Sequence, residues 1–592
     1  MKLLRLKITD PKGFRSLQAG FEYQFRTEWD LQEEQGFAPF VCAGPNGSGK
    51  SNLLEALAAI FYHLECIYLE NRPDSFDYDE ETNSEGFRGD RAIPDGFEVE
   101  YLIPIRDSSE LAYSGLGGNA HIKIVKNVEE SPLWYLVNNV SEQKLVMTKT
   151  MSRQLLPDYI LGYSSGENEI LSLPFFKMRF VQFDEYDQAL KQQLPYPGRP
   201  ESRLVYLDSS FSQAILICNL LFQDADALTP FRDDVKIAEL REFRIIIQRS
   251  IEVEENQIPA FGSRDENKRE SIEEIVRNHP ALSTIEDESQ SKRYRVDLVH
   301  LLDGSDTSDK VIPRLMHCAT CWYLDEPNDT LYLDYWVNEV TRQAFRENFD
   351  FEVNRSPIAL FQAFQVLLTL NLYSASDQLK SELYQSGSLY VNETVPILAS
   401  DERIMRFKHF WLTKTDVSEP VLLKSLSDGE HQLLHALGLC LLFKDTQSLF
   451  LLDEPETHFN PDWRANFVTR LNECFVDSKD QEMLITTHTP FLISDSQPEK
   501  VLVFNKADGK VSVTHPDYNT LGASINKITM ATFGKRETIG LRAQTIRDDF
   551  LQRFNEGEDK EHLLAEINRK LGDSVEKVLL IKTILDSMEE KG

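Results

Sequence analysis

One octapeptide, Gly44-Pro45-Asn46-Gly47-Ser48-Gly49-Lys50-Ser51, constrains the fold of this chain more than any other stretch. It matches G-x-x-x-x-G-K-[ST], a loop whose backbone N–H groups wrap around phosphate oxygens. The motif has meaning only between a strand and a helix, and its flanks supply both. Phe37 to Ala43 is a short apolar run that reads as a strand entering the loop. Ser51 to Phe61 places Leu53, Leu54, Leu57, Ile60 and Phe61 at helical spacing. The glycines let the backbone turn toward phosphates, and the helix N-terminus adds the positive end of its dipole. Gly44 through Asn52 are therefore the expected ATP-binding loop. Lys50 is expected to reach the β- and γ-phosphates, and the Ser51 hydroxyl to ligate Mg2+.

Three later segments complete a site for ATP and Mg2+. The first is Leu426-Ser427-Asp428-Gly429-Glu430, followed by a helical pattern from His431 to Phe443. The second is Leu449 to Thr457, in which four apolar residues end in adjacent carboxylates. That pattern describes a buried strand delivering acids to its C-terminal end. Asp453 is expected to hold the metal, and Glu454 to orient and polarise the attacking water. The third, Met483 to His488, is another strand ending in a polar residue, with His488 expected to bond the γ-phosphate. Taken singly, Ser-Asp-Gly-Glu reads as a helix N-cap turn and His488 as a loop histidine. Their order behind a phosphate loop makes the set specific.

That order resembles the ABC-type ATPases, and among them the SMC, RecF and OLD group. Phe14-Arg15-Ser16 resembles the group's N-terminal Asn-Phe-Arg motif, which implies that Arg15 contacts nucleotide. Glu456-Thr457-His458-Phe459-Asn460-Pro461 and Thr487-His488-Thr489-Pro490-Phe491 resemble segments of OLD-like proteins. The resemblance covers roughly residues 1–220 and 400–515. It implies an α/β fold: an ABC/SMC-like head with a mixed sheet around the phosphate loop and an antiparallel β subdomain. The implied lobes of the head are 1–222 and 421–515; between and after them, 223–420 reads from its own residues as a mainly helical insert and 516–592 as a helical tail. It further implies that heads pair, so that Ser427, Asp428, Gly429 and Glu430 face the partner's ATP. The common signature is Leu-Ser-Gly-Gly-Gln; this chain departs from it but keeps Ser427 and Gly429.

Length, compact insert and helical tail are most similar to the PtuA-like ATPases of Septu-type and retron-associated antiphage systems. That similarity implies a separate HNH nuclease subunit (PtuB-like) as partner, with nucleic acid reached through the complex. Two alternatives stand beside it: an SMC- or RecF-like DNA repair or loading ATPase, and an OLD-type nuclease. The last needs a C-terminal acidic metal site, whereas 516–592 reads as helices.

Composition narrows the partners. With 63 Lys and Arg against 96 Asp and Glu, the net charge is −33. Such a chain does not attract nucleic acid through its overall field, so any such contact needs a local cationic patch or a basic partner. Seven cysteines spread over 592 residues fit a reducing compartment. Cys318-Ala319-Thr320-Cys321 is the one pair at metal-ligand spacing, short of the four ligands that structural zinc takes. No apolar run reaches the length of a membrane span, so a cytoplasmic location without membrane contact is expected. Smaller expectations are an edge strand at Met1–Ile8, a loop at 64–92, and strands at Phe97–Ile103 and His121–Val125. A β-run at Phe180–Phe183 is expected to place Gln182 near the metal. A helix is expected over Val235–Ile251, and a hairpin around Glu326–Asp329.

Overall fold

A strand buried on both faces reads as an unbroken apolar run, whereas one with a wet face alternates. Phe40–Ala43, Leu449–Asp453 and Glu482–Thr486 are of the first kind, buried at every residue. In a computed structural model of the chain they lie at the centre of the largest sheet. The structure describes residues 1–34, 36–67, 93–105, 118–137, 142–145, 151, 154–165, 171–194, 202–263, 270–286, 292–303, 310–349, 357–385, 398–476, 481–534 and 539–589.

Strands are numbered in chain order. The seven-stranded sheet runs β21-β20-β3-β19-β18-β8-β9. Its members are β3 (Phe40–Ala43), β8 (Ile160–Ser164), β9 (Leu204–Tyr206), β18 (Leu449–Asp453), β19 (Glu482–Thr486), β20 (Val501–Ala507) and β21 (Lys510–Thr514). All pair in parallel except the β20–β21 hairpin. Parallel strands bring their C-terminal ends to one edge, where ligands bind in open α/β sheets. Register makes this concrete: Asp453 lies opposite Thr486 on one side and Ser164 on the other, and Thr486 lies opposite Cys42.

The alternation of side chains splits the interior into two cores. Phe40, Cys42, Leu449 and Leu451 point into one, and Val41, Ala43, Phe450 and Leu452 into the other. The first core holds the phosphate-loop helix Lys50–Ile67 and an antiparallel sheet of order β2-β1-β4-β5-β6-β7. These strands are β1 (Lys2–Ile8), β2 (Glu22–Gln24), β4 (Phe97–Pro104), β5 (Asn119–Lys126), β6 (Leu133–Val137) and β7 (Glu142–Leu145). The antiparallel subdomain expected beside the site is there. β1, expected at an edge, is instead clasped between β2 and β4. The helix runs to Ile67, so only 68–92 of the expected loop remains, and that lies outside the described residues.

The second core takes in 223–420, expected as a mainly helical insert. Among the described residues its helices stand beside seven strands: β10 (Ile237–Gln248), β11 (Ser250–Val253), β12 (Leu282–Glu286), β13 (Lys292–Asp297), β14 (Cys321–Asp325), β15 (Thr330–Trp336) and β16 (Met405–Lys414). With β17 (Val421–Leu422) they form sheets of order β14-β15-β10-β16-β17 and β11-β13-β12, between helices such as Val311–Cys318 and Ile358–Thr369. Val235–Ile251, expected as a helix, is instead the strand β10 running into β11. Phe243, Ile245 and Ile247 alternate, and all three are buried. Ladders to β15 and β16 on either side decide for the strand. The hairpin β14–β15 forms as expected. One continuous core joins these strands to the head helices Ser209–Phe222 and Asp428–Leu442, so the insert packs as part of the head.

Phe180–Phe183 is not a strand but part of the helix Leu173–Lys191, in which Gln182 is buried. The tail forms the helices Ile525–Phe533, Leu541–Asn555, Lys560–Lys570 and Val575–Glu589. The last three enclose a small core of Phe550, Leu563, Ile567, Leu580 and Ile584. Among the described residues no helix is long and apolar enough to cross a membrane.

Candidate nucleotide-binding site

The chain leaves β3 through Gly44, Gly47 and Gly49, all at positive φ. Gly44 cannot be anything else: with φ +141, a Cβ there would sit 2.3 Å from the Phe504 carbonyl oxygen on β20. Lys50, at the start of the helix, is buried, and its Nζ donates to the carbonyls of Gly44 (3.0 Å) and Pro45 (3.1 Å). Burial lowers its pKa, against the pull of Glu454 and Asp453. The Ser48 hydroxyl is buried without a partner among the described residues. A loop with an unpaired hydroxyl, an ammonium resting on its own carbonyls and a helix N-terminus fits an anionic phosphate chain.

Two acids end β18, and their surroundings treat them differently. Asp453 is 3% exposed. Its Oδ1 accepts from Ser51 Oγ (2.8 Å) and Thr486 Oγ1 (2.5 Å). Burial pushes its carboxyl up, and the two hydroxyls oppose this. Ser51 and Asp453, read from motifs 402 positions apart, thus meet at one point, as a Mg2+ site requires. Glu454 is half-exposed and sits at φ +50. Its Oε1 lies 2.5 Å from His488 Nε2, and that contact holds its carboxyl below the usual range. The base candidate is therefore anionic and aimed outward.

Sequence reasoning missed the residues that hold these acids. Thr486 accepts the Glu454 N–H on its carbonyl (3.2 Å) and on its hydroxyl (3.0 Å) while donating to Asp453. The Ser165 hydroxyl, just past β8, donates to the Glu454 carbonyl and lies 2.8 Å from Thr457 Oγ1. Glu456 is buried and accepts from the Thr487 hydroxyl, and its other oxygen has no partner among the described residues. Burial raises its pKa to about 7. The only sequence signal for Thr486 and Thr487 is their place at the end of an apolar run.

Arg15 stands at φ +54 and pairs with Glu55 of the phosphate-loop helix (2.8 Å), itself nearly fully buried. Ser16 donates to Asn52 Oδ1 (2.6 Å). The segment Phe14–Ser16 is thereby fastened to the first turns of that helix, with Arg15 committed to Glu55. Ser427 is the N-cap of Asp428–Leu442, in a capping box with Glu430. Glu430 also takes Lys414 Nζ at 2.8 Å. Gly429 packs so closely that a Cβ would lie 2.8 Å from the His458 carbonyl oxygen. Gln432 then bridges the Ser165 carbonyl and the His458 N–H. Ser427 and Asp428 remain exposed, and among the described residues Ser427 has no hydrogen bond to the phosphate loop.

Cys318 is buried and Cys321 exposed, with no metal-ligand group around them among the described residues. The ligand set that does cluster is Glu558, His562 and Glu566 in the tail. Arg553 bonds both carboxylates (2.7 and 2.8 Å) and Lys570 pairs with Glu566 (2.6 Å), so cationic side chains already fill that role.

A family model described as "AAA domain, putative AbiEii toxin, Type IV TA system" matches residues 326–494. That span takes in the signature, Asp453, Glu454 and His488 but not the phosphate loop. No curated protein matches. Among solved structures, the SMC head domain from Thermotoga maritima is 12% identical, with 88% of this chain and 100% of that one covered and a TM-score of 0.29. The Smc head domain with an extended coiled coil bound to the C-terminal domain of ScpA, derived from Pyrococcus furiosus, is 12% identical (87% and 96% covered, TM-score 0.29). The recombination mediator protein RecF-ATPrS is also 12% identical (86% and 97% covered, TM-score 0.25). At these scores the likenesses add nothing to what the topology shows. The strand order, the phosphate loop between β3 and its helix, and the acids at the end of β18 give the α/β fold of an ABC/SMC-like ATPase head.

Proposed function

We propose that this chain is an ATP-binding and ATP-hydrolysing regulatory subunit that pairs head to head through ATP and controls a separate HNH-type nuclease in antiphage defence. The observation that carries the ATPase reading is the meeting of Ser51, Asp453 and Thr486 beside Lys50, with Glu454 held anionic by His488. Bound ATP with Mg2+ supplies the phosphoryl group to be cleaved. Gly44 to Asn52 would bind it, Ser51 and Asp453 would hold the metal, and Glu454 would orient water and accept its proton.

Pairing is supported by the exposed Ser427 cap, which is free of its own phosphate loop. The defence role is supported by the resemblance to antiphage ATPases and by the AbiEii toxin named in the matching family's description. A separate nuclease is supported by the tail, where arginine and lysine close the one clustered ligand set among the described residues.

The test is a pair of assays on purified protein. The chain should release phosphate from ATP, yet leave DNA and RNA intact with Mg2+ or Mn2+. Co-expression with an adjacent HNH reading frame should supply cutting that depends on Glu454. Metal-dependent cutting by the chain alone, abolished by a substitution outside the ATP site, would promote the OLD-type alternative instead.

A further inference from the structure

The sheet β14-β15-β10-β16-β17 buries one face in the second core; on the other, Tyr323, Trp336 and Lys408 are exposed around a buried Ile246. Cross-strand register defines three rows on that face. Trp336, Glu242 and Trp411 form one row. Cys321, Asp334, Arg244 and Lys408 form the next. Tyr323, Tyr332, Ile246 and Arg406 form the third. Four aromatic rings thus share one face of a single sheet. Tyr323 is 62% and Trp336 47% exposed, an unusual state for side chains of this size.

The rings are interleaved with guanidinium planes. Tyr323 and Tyr332 lie 6.0 Å apart, Arg244 stands 5.8 Å from the Tyr332 ring, and Arg241 stands 5.0 Å from Trp336. Charge is distributed to leave cations over. Asp334 is spent on Arg244, at 2.6 and 2.7 Å, and Glu242 is the opposing acid in the Trp336 row. Lys408 is exposed with no carboxylate partner among the described residues. Arg406 has a buried Nη1 without an acceptor among the described residues. In a chain of net charge −33, this is a local reversal.

We infer that this face binds single-stranded nucleic acid, its bases stacking on Tyr323, Tyr332 and Trp336 and its phosphates meeting Lys408 and Arg406. Flat rings serve any unpaired base, and uncommitted cations serve the backbone. A duplex keeps its bases inside and offers only phosphates to the same surface. The inference assigns to this chain itself a contact that the proposed function leaves to the complex, and it does not require ATP hydrolysis.

The experiment is fluorescence polarisation of the full chain against labelled oligo-dT, oligo-U and duplex DNA of about 20 nucleotides, a length above one stacking platform's reach. Phosphate release and Tm are followed on the same samples. Oligo-dT or oligo-U should bind better than duplex, and their ranking distinguishes DNA from RNA. Tyr323→Ala and Trp336→Ala should each weaken binding roughly 5- to 100-fold, with phosphate release and Tm unchanged. Lys408→Gln should flatten the log–log salt slope by about 0.7. Three outcomes overturn the inference. They are no strand binding at low salt, binding indifferent to both ring substitutions, and a Tyr323→Ala variant that dissolves a self-assembly while leaving nucleic acid binding intact.

Discussion

At the scale of residues, neighbouring carboxylates are pushed in opposite directions. Burial raises Asp453, and His488 lowers Glu454. Glu454→Gln keeps the shape of the side chain but cannot accept the water's proton. ATP binding should persist while phosphate release falls about 100- to 10,000-fold, the range for loss of a positioned base. Lys50→Ala should instead abolish binding, because it removes the ammonium beside the loop carbonyls. Equal turnover by wild type and Glu454→Gln would defeat the assignment.

Glu456 gives a pH-dependent expectation. Its carboxyl is raised to about 7 from an ordinary 4.5. The folded protein therefore binds more protons than the unfolded chain between those values, and stability falls as pH rises through them. Below the window the group costs nothing; above it the full cost of burying the anion persists. Glu456→Gln should remove that slope. The unfolding free energy of the variant relative to wild type should climb from pH 5 to pH 8, by at most about 1.4 kcal/mol per pH unit within the window, and its Tm relative to wild type should rise with it. A constant difference would mean that Glu456 is not buried as an acid.

Elements explain why some of this was legible and some was not. The phosphate loop and the Asp453-Glu454 strand are contiguous, and parallel pairing of short apolar runs brings their ends together. Thr486 and Ser165 act through register, because Asp453 lies opposite Thr486 and Ser164. Nothing in the local sequence announces that. β10, expected as a helix, carries Phe243 and Ile247 four apart, which fits helical spacing as well as alternation. Only the ladders on both sides tell the strand from a helix. Gly429, read as a nucleotide contact, also has a packing duty between the signature helix and the loop after β18. Its missing Cβ would meet the His458 carbonyl at 2.8 Å. Gly429→Ala should therefore push the signature helix off that loop, costing about 1–3 kcal/mol and slowing turnover even at saturating ATP. A Tm equal to wild type would show that the contact gives way freely.

At the scale of the whole molecule, the chain carries −33 charges and two copies repel. Head-to-head pairing must overcome that repulsion, so ATP-dependent association should strengthen as salt screens it. Strand binding on the aromatic sheet face should weaken under the same change, so the two events separate by ionic strength. In a Glu454→Gln background, sedimentation with ATP should show mass doubling. Ser427→Arg should abolish the doubling while single chains still bind ATP. Since Ser427 is also a helix cap, Ser427→Ala is the comparison: it loses the cap, about 0.5–2 kcal/mol, and the hydroxyl facing the partner's ATP, without filling the space a partner's phosphate loop needs, so pairing should weaken less than with Ser427→Arg. Mixing Ser427→Arg with Lys50→Ala chains should restore one composite site, made from an intact phosphate loop and an intact signature of different chains. Turnover per chain that is independent of protein concentration at every dilution, together with a fully active Ser427→Arg variant, would show that each head hydrolyses alone.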